Sequence, residues 1–356
     1  MFDRVIRAAW FERDPSPLVE AACPLLLGLR ARSPARGFLR VHWARGPHLD
    51  CVVDPDDADL VNEVAGTLAA WIERHPSITI LPEDFARRSQ HMAEAEQWTG
   101  ALAPFYRNNS VAVIANDRTT LWGSEHLWLA AACFHCDVLP DIADLVIEKR
   151  RSRGAFVLAV SRRLAAIGRI AGDGEFDFWP LSFSAHARLF LAAHPSMRPT
   201  FEDAWQRLRR PAALALGDIV ESGDDPADLT VWLTAAAALD ARVKAVQADP
   251  DVAIVPVEVH NPLHIQDTLG SFAQVSSHLH AMFDTDRLSA VFASPLHHRF
   301  RIIINIAYES LATATITPVE RALACYILSR VIIEDFPGVA AEASARVNAL
   351  AETHHD

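Results

Sequence analysis

A chain of 356 residues, 51% of them hydrophobic, suits one large domain or two intimately packed ones with a sizeable core, so extensive disorder is not expected. A formal charge of −12 repels phosphate backbones, and no stripe of Lys and Arg is interleaved with aromatics, so nucleic acid finds little support as a partner. No apolar run of about 18 residues occurs, so no membrane span is expected.

The first ten residues mix Asp3, Arg4 and Arg7 into their apolar content, which leaves no signal-peptide core and points to the cytoplasm. Five cysteines, an odd number scattered at 23, 51, 133, 136 and 325, read as reduced thiols. Residues 3–11 look like a strand. A helix over 15–30 follows, opened by Asp14 with Pro15 behind it, and then a strand over 38–43. A turn at Ala44-Arg45-Gly46-Pro47 sends the chain back through 48–53 as a hairpin. Residues 57–74 carry Leu60, Val64, Leu68 and Trp71 at helical spacing, and 77–81 is a candidate short strand. The order βαββαβ is that of a split βαβ module, a small sheet covered by helices on one face.

After residue 82 the pattern turns helical. A polar helix is expected over 83–98 and a buried strand over 110–115. Further helices are expected over 121–137, 140–152, 155–170, 182–193, 200–215, 226–247, 263–290, 296–312, 317–335 and 338–351. The breaks between them are short, as in interhelical turns. The reading is an α+β protein of one domain, with a small sheet portion over 1–82 and a mainly helical portion over 83–356.

No phosphate loop, GxSxG elbow, HExxH or GxGxxG is present. Cys133-x-x-Cys136 lies in an apolar helix with no second cysteine pair, so packed thiols are expected there and no metal. The basic run Glu148-Lys149-Arg150-Arg151-Ser152-Arg153 reads as a solvated helix end. Three segments carry candidate chemistry. Ser277 and His280 lie one turn apart on a helix face, with Asp284 beyond them, an arrangement suited to proton transfer or to plain packing. Ser182 looks like an N-cap, placing Ser184 and His186 in a first turn whose backbone N–H groups suit an anion or carbonyl oxygen, or simply cap the helix. Arg301, Asn305 and Tyr308 recur at i, i+4 and i+7 in an apolar helix, which implies a cavity or an internal polar network.

Four stretches together are similar to a known family: Phe38-Leu39-Arg40-Val41-His42-Trp43-Ala44-Arg45-Gly46-Pro47-His48-Leu49, Pro104-Phe105-Tyr106-Arg107-Asn108-Asn109-Ser110-Val111, residues 182–191, and residues 305–334 with Tyr308, Pro318-x-Glu320-Arg321 and Cys325-Tyr326. The chain resembles the thiopeptide-type bacteriocin biosynthesis proteins, relatives of the C-terminal elimination domain of lantibiotic dehydratases. Within that family, eliminating members remove glutamate from glutamylated Ser or Thr, and pyridine synthases join two dehydroalanines in a formal aza-[4+2] cycloaddition. Eliminating members usually read His-x-Arg-x-Arg in the second hairpin strand, whereas this chain reads His48-Leu49-Asp50-Cys51-Val52. A leaving carboxylate is best held by guanidinium forks, so the resemblance favours the pyridine synthases.

That resemblance implies a precursor peptide with its leader as substrate, other enzymes of the same pathway as possible partners, and no cofactor, since proton transfer and oxyanion stabilisation suffice. A homodimer stays open. The residues it singles out are Ser277 and His280 for proton handling and Tyr308 or Arg287 for polarising an amide carbonyl. Ser184, His186, His48, Arg301 and Asn305 are assigned to substrate binding. Phe283 and Asp286 depart from what relatives carry. Glutamate elimination, a non-catalytic precursor-binding role and a helical aminoacyl transferase are the alternatives.

Overall fold

The computed structural model describes residues 2–32, 36–54, 58–77, 84–87, 89–90, 93, 100–116, 124–172, 179–222, 226–249 and 294–352. The predicted strand at 77–81, most of the polar helix at 83–98 and the helix at 263–290 fall outside them. The chain divides into two compact units. Unit 1 comprises Met1–Arg118, His135–Ile147 and Glu309–Ile316, and unit 2 comprises Thr119–Phe134, Glu148–Tyr308 and Thr317–Asp356.

Unit 1 is built on β1 (Arg4–Ala9), α1 (Ser16–Arg32), β2 (Gly37–His42), β3 (His48–Val53), α2 (Ala58–Arg74) and β4 (Ser110–Ala115). The strands pair antiparallel in the order β2-β3-β1-β4. β1 and β2 thus run parallel with β3 between them, as in a split βαβ module. β3, one of the two inner strands, is buried at every position. β4 was expected to be buried, but as an edge strand it buries no residue fully and exposes Ala112, Val113 and Ala115. α1 lies against β2 and β3, α2 against β1 and β4, and the two helices touch. The stripe that α2 buries is Val61, Val64, Leu68 and Ile72, one residue off the predicted stripe at either end.

The hairpin between β2 and β3 depends on backbone that only some residues adopt. Arg45 and Gly46 have φ of 62° and 111°, and a Cβ on Gly46 would sit 2.2 Å from the Phe11 ring. Glycine is required there on both counts. The asparagine-bearing segment closes the neighbouring turn. The Asn108 side-chain oxygen accepts from the Phe11 N–H at 2.9 Å and the Ser77 hydroxyl at 2.7 Å, and the Asn109 oxygen accepts from the Ser77 N–H at 2.8 Å.

Helices dominate the remainder: α3 (Glu125–Asp137), α4 (Leu139–Arg151), α5 (Arg153–Gly172), α6 (Trp179–Ala193), α7 (Arg198–Gly217), α8 (Thr230–Ala248), α9 (Pro295–Thr313), α10 (Pro318–Asp335) and α11 (Pro337–Glu352). The α+β class is therefore as expected. α10 touches α5, α6, α7 and α11 and buries residues around most of its circumference, Ala322, Cys325, Ile327, Leu328 and Val331 among them. A helix that buries most of its circumference belongs in the middle of a bundle. It begins with a reciprocal cap: the Thr317 hydroxyl accepts from the Glu320 N–H at 3.2 Å, and the Glu320 carboxylate accepts from the Thr317 N–H at 2.9 Å. Burial pushes Glu320 up, but the bonds from Thr317 and the charge of Lys149 outweigh it and hold the carboxyl below its usual range. Lys149 and Arg153 each reach it at 3.2 Å. The basic run at 148–153 is thus partly committed to a buried carboxylate rather than wholly solvated.

α6 begins at Trp179 with Pro180 in its first turn, a position where the missing N–H costs nothing. Ser182 is accordingly inside the helix and not its N-cap, and Ser184 and His186 sit in the second turn. Their expected access to free backbone N–H groups is lost. Gly168 lets α5 approach α6, since a Cβ there would lie 3.0 Å from Phe183 and 3.1 Å from Trp179. All five cysteines are free thiols.

Candidate functional site

α9 carries Arg301, Asn305 and Tyr308 on one face, partly exposed, among the buried Ile302, Ile303, Ile304, Ile306 and Ala307. In unit 2, two neighbouring helices meet this stripe. His186 of α6 places its ring 5.5 Å from that of Tyr308. From α10, the Arg321 guanidinium stands 4.8 Å from the centre of the Tyr308 ring, and the Cys325 sulfur lies 3.6 Å from the Tyr308 hydroxyl. Arg321 and Cys325 are one turn apart, which puts both on the side facing Tyr308.

The electrostatics follow from burial next to cations. His186 is pushed down to about 3 by burial, then by Arg321 and Arg301, so its imidazole is neutral at physiological pH. Tyr308 is held well above the usual phenol range by burial, then by Cys325, so it keeps its proton. Burial pushes the Cys325 thiol up to about 11. Two positive charges remain. Among the described residues no carboxylate pairs with Arg301 or Arg321, and the Nε of each is buried without a hydrogen-bond partner. Asn305, between Arg301 and Tyr308 on the face, likewise has none among the described residues. Guanidinium N–H groups, a phenol O–H and a neutral imidazole, with no acidic side chain among the described residues to satisfy them, make a place for developing negative charge on an oxygen and for a proton in transit.

Of the predicted residues, Tyr308, His186, Arg301 and Asn305 thus come together. Ser184 does not join them. Two residues apart on a helix point to opposite sides, and Ser184 is buried in a separate cavity on the other face of α6. Ser277, His280 and Arg287, with Phe283 and Asp286, lie outside the described residues. Arg321 and Cys325 were visible only as parts of a family motif. What could have found them is their one-turn spacing on a largely buried helix.

His48 belongs to unit 1, where it is committed to the hairpin. Its side chain is 4% exposed, its Nδ1 lies 2.7 Å from the Gly46 carbonyl oxygen, and its Nε2 is 3.9 Å from Asp50. Asp50 is the centre of a lateral row, opposite Arg7 of β1 and Arg40 of β2 in register. Arg7 donates to both carboxylate oxygens at 2.7 and 2.8 Å, and Arg40 to one at 3.1 Å. Arg7 also donates to the Tyr106 hydroxyl. Burial pushes Asp50 up, but these bonds and charges prevail and hold it below the carboxylate range. Burial drives His42 down to about 3 and His48 down to about 4.

The fold is one seen before. The chain is similar to a solved structure of a pyridine synthase, TbtD, from thiomuracin biosynthesis, with 20% identity and a TM-score of 0.63 over 95% of this chain and 99% of that one. It is also similar to the crystal structure of TsrL, with 14% identity and a TM-score of 0.59 over 97% of this chain and 98% of that one. At such identities the likeness is one of fold, over essentially the whole length. No family model and no curated protein matches the chain.

Proposed function

We propose that this protein is a tailoring enzyme of ribosomally made peptides, of the pyridine synthase type, on an elimination-domain-like fold held as one domain. The reaction joins two dehydroalanines of a precursor peptide by a formal aza-[4+2] cycloaddition, forming one C–C and one C–N bond. Loss of water and of the leader peptide then gives the aromatic ring. The observation that carries this reading is the His186–Tyr308 pair flanked by two guanidiniums without carboxylates, on a fold shared end to end with a pyridine synthase.

The chemistry fits that group. Holding two distant alkenes in contact is mostly an entropic task. Tyr308, kept protonated, donates to an amide oxygen and favours its iminol form, with Arg321 and Arg301 stabilising the negative charge that builds there. Neutral His186 accepts and returns a proton as water leaves. Asn305 and Arg301 position the peptide. Ser277 and His280 are proposed as a further proton-handling pair and Arg287 as a second polarising group. The substrate is a dehydrated precursor peptide, the location cytoplasmic, and no cofactor is called for.

Glutamate elimination has weaker support. The guanidiniums that flank the second hairpin strand, Arg7 of β1 and Arg40 of β2, are taken up by Asp50, so they are not free to receive a leaving carboxylate. The deciding experiment is mass spectrometry of the purified protein with two substrates. A dehydroalanine-bearing precursor should lose the mass of its leader plus water, and a glutamylated precursor should stay intact. Glutamate release, with no cyclised product, overturns the assignment.

A further inference from the structure

A cavity of about 300 Å³ opens in unit 2 on the face of α6 turned away from His186. Its inner cations are already answered. The Arg330 Nε donates to Glu334 at 2.6 Å, and one terminal nitrogen donates to Glu202 at 2.8 Å and to the Tyr326 hydroxyl at 2.6 Å. That hydroxyl in turn donates to Glu202 at 2.7 Å. Arg188 is engaged as well, which leaves the exposed Arg198. Two hydroxyls are not answered. Ser184 of α6 and Ser329 of α10 line the cavity, are 6% and 7% exposed, and have no hydrogen-bond partner among the described residues. α6 and α10 pack directly on each other, so the two hydroxyls reach the space from two walls. Beside them the apolar Ala187 and Leu191 are buried, and Ile333 is 45% exposed.

We propose that this cavity binds the uncharged carboxamide of a glutamine or asparagine side chain of a peptide, and so anchors the substrate apart from the His186–Tyr308 group. The amide oxygen accepts from one serine hydroxyl and from Arg198, the amide nitrogen donates to the other serine, and the methylenes lie against Leu191 and Ile333. The peptide as ligand rests on the function proposed above; the preference for an amide rests on the lining alone. A serine hydroxyl both donates and accepts, and a carboxamide carries two donors and two acceptor sites on neighbouring atoms, so it satisfies both serines at once. A carboxylate would enter beside Arg330, whose charge Glu202 and Glu334 already neutralise, and would bear its desolvation cost uncompensated. A purely apolar side chain would leave both hydroxyls unpaired.

The test is fluorescence anisotropy on the full chain with three short fluorescein-labelled peptides in which leucine alternates with glutamine, with glutamate or with methionine. The glutamine peptide should bind at least about tenfold more tightly than either of the others, a difference of about 1.4 kcal/mol, and should keep that lead as salt rises, because no ion pair is formed. Ser184→Ala and Ser329→Ala should each remove the lead, while Ser344→Ala on α11, outside the cavity, should keep it. Since neither cavity serine has a partner to lose, both alanine variants should melt no lower than the parent, which separates lost preference from lost folding. Equal affinity for the glutamine and methionine peptides, tighter binding of the glutamate peptide, an unaltered lead in either alanine variant, or a lower melting temperature in either of them overturns the proposal. Cyclisation that persists without any amide preference sinks this inference alone. Amide-selective binding that both alanine variants remove, without cyclisation, supports it and sinks only the reaction assigned above.

Discussion

The two units each gather arginines, a tyrosine and at least one histidine, and they differ by one carboxylate. In unit 1, Asp50 sits between Arg7 and Arg40 and is 1% exposed, so the charges answer one another and the cluster is complete. In unit 2, Arg301 and Arg321 meet Tyr308 and His186 with no acidic partner among the described residues. A buried cation costs free energy unless something compensates it. The first cluster therefore stabilises the fold, and in the function proposed above the second is completed by the bound peptide. Substitutions should separate the two.

The largest effect is expected at Asp50. Asp50→Ala leaves Arg7 buried beside Tyr106 without its counter-ion, and breaking a buried pair by removing one partner costs about 3–5 kcal/mol. The urea midpoint should fall accordingly. Next comes Tyr308→Phe. The hydroxyl's contact in the structure is the weak one to Cys325, so stability should change by less than about 1 kcal/mol, whereas cyclisation should slow by about a hundredfold or more, as for removal of one oxyanion donor. Arg321→Gln should behave likewise with a smaller loss of rate, about tenfold, read from initial rates by mass spectrometry. A Tyr308→Phe protein that turns over normally but unfolds as early as Asp50→Ala would remove the distinction between the clusters.

Much of this was legible in the sequence, because periodicity reports which side of an element is buried. The Arg301, Asn305, Tyr308 stripe could be read from spacing alone, since polar residues one turn apart in an isoleucine-rich helix must face something other than core. The split βαβ order could be read from alternation and turn residues. The fourth described strand, 110–115, could be read as a strand from its β-branched run, but its place at the edge beside β1 could not, because strand pairing is a long-range event that local pattern does not rank. The start of α6 was misread because Ser182 has the chemistry of a cap, while Trp179 and Pro180 begin the helix a turn earlier. Ser184 and His186, two residues apart on that helix, face opposite sides and do not share a site. Arg321, Cys325 and the Asp50 row needed tertiary packing or strand register to become visible.

The smallest effect concerns acid. A buried neutral histidine resists protonation in the folded protein but not in the unfolded chain, so the unfolded state binds more protons as pH falls below about 6.5. Stability is then present above that value and lost on the way down. The window runs from about 6.5 to about 3 for His186 and His42 and to about 4 for His48. It closes sooner for His48 because Asp50 opposes burial there, whereas at His186 Arg321 and Arg301 act in the same direction as burial. Each such group contributes about 1.4 kcal/mol per pH unit inside its window. Urea midpoints measured between pH 6.5 and 4 should therefore fall less steeply in His186→Gln than in the parent, by about one proton's worth of slope. Below pH 4 the His186→Gln difference should persist, while the corresponding His48→Gln difference should flatten. Equal curves for His186→Gln and the parent would mean that His186 is already solvated or paired with an acid, and the open, uncompensated character assigned to the unit 2 cluster would be lost with it.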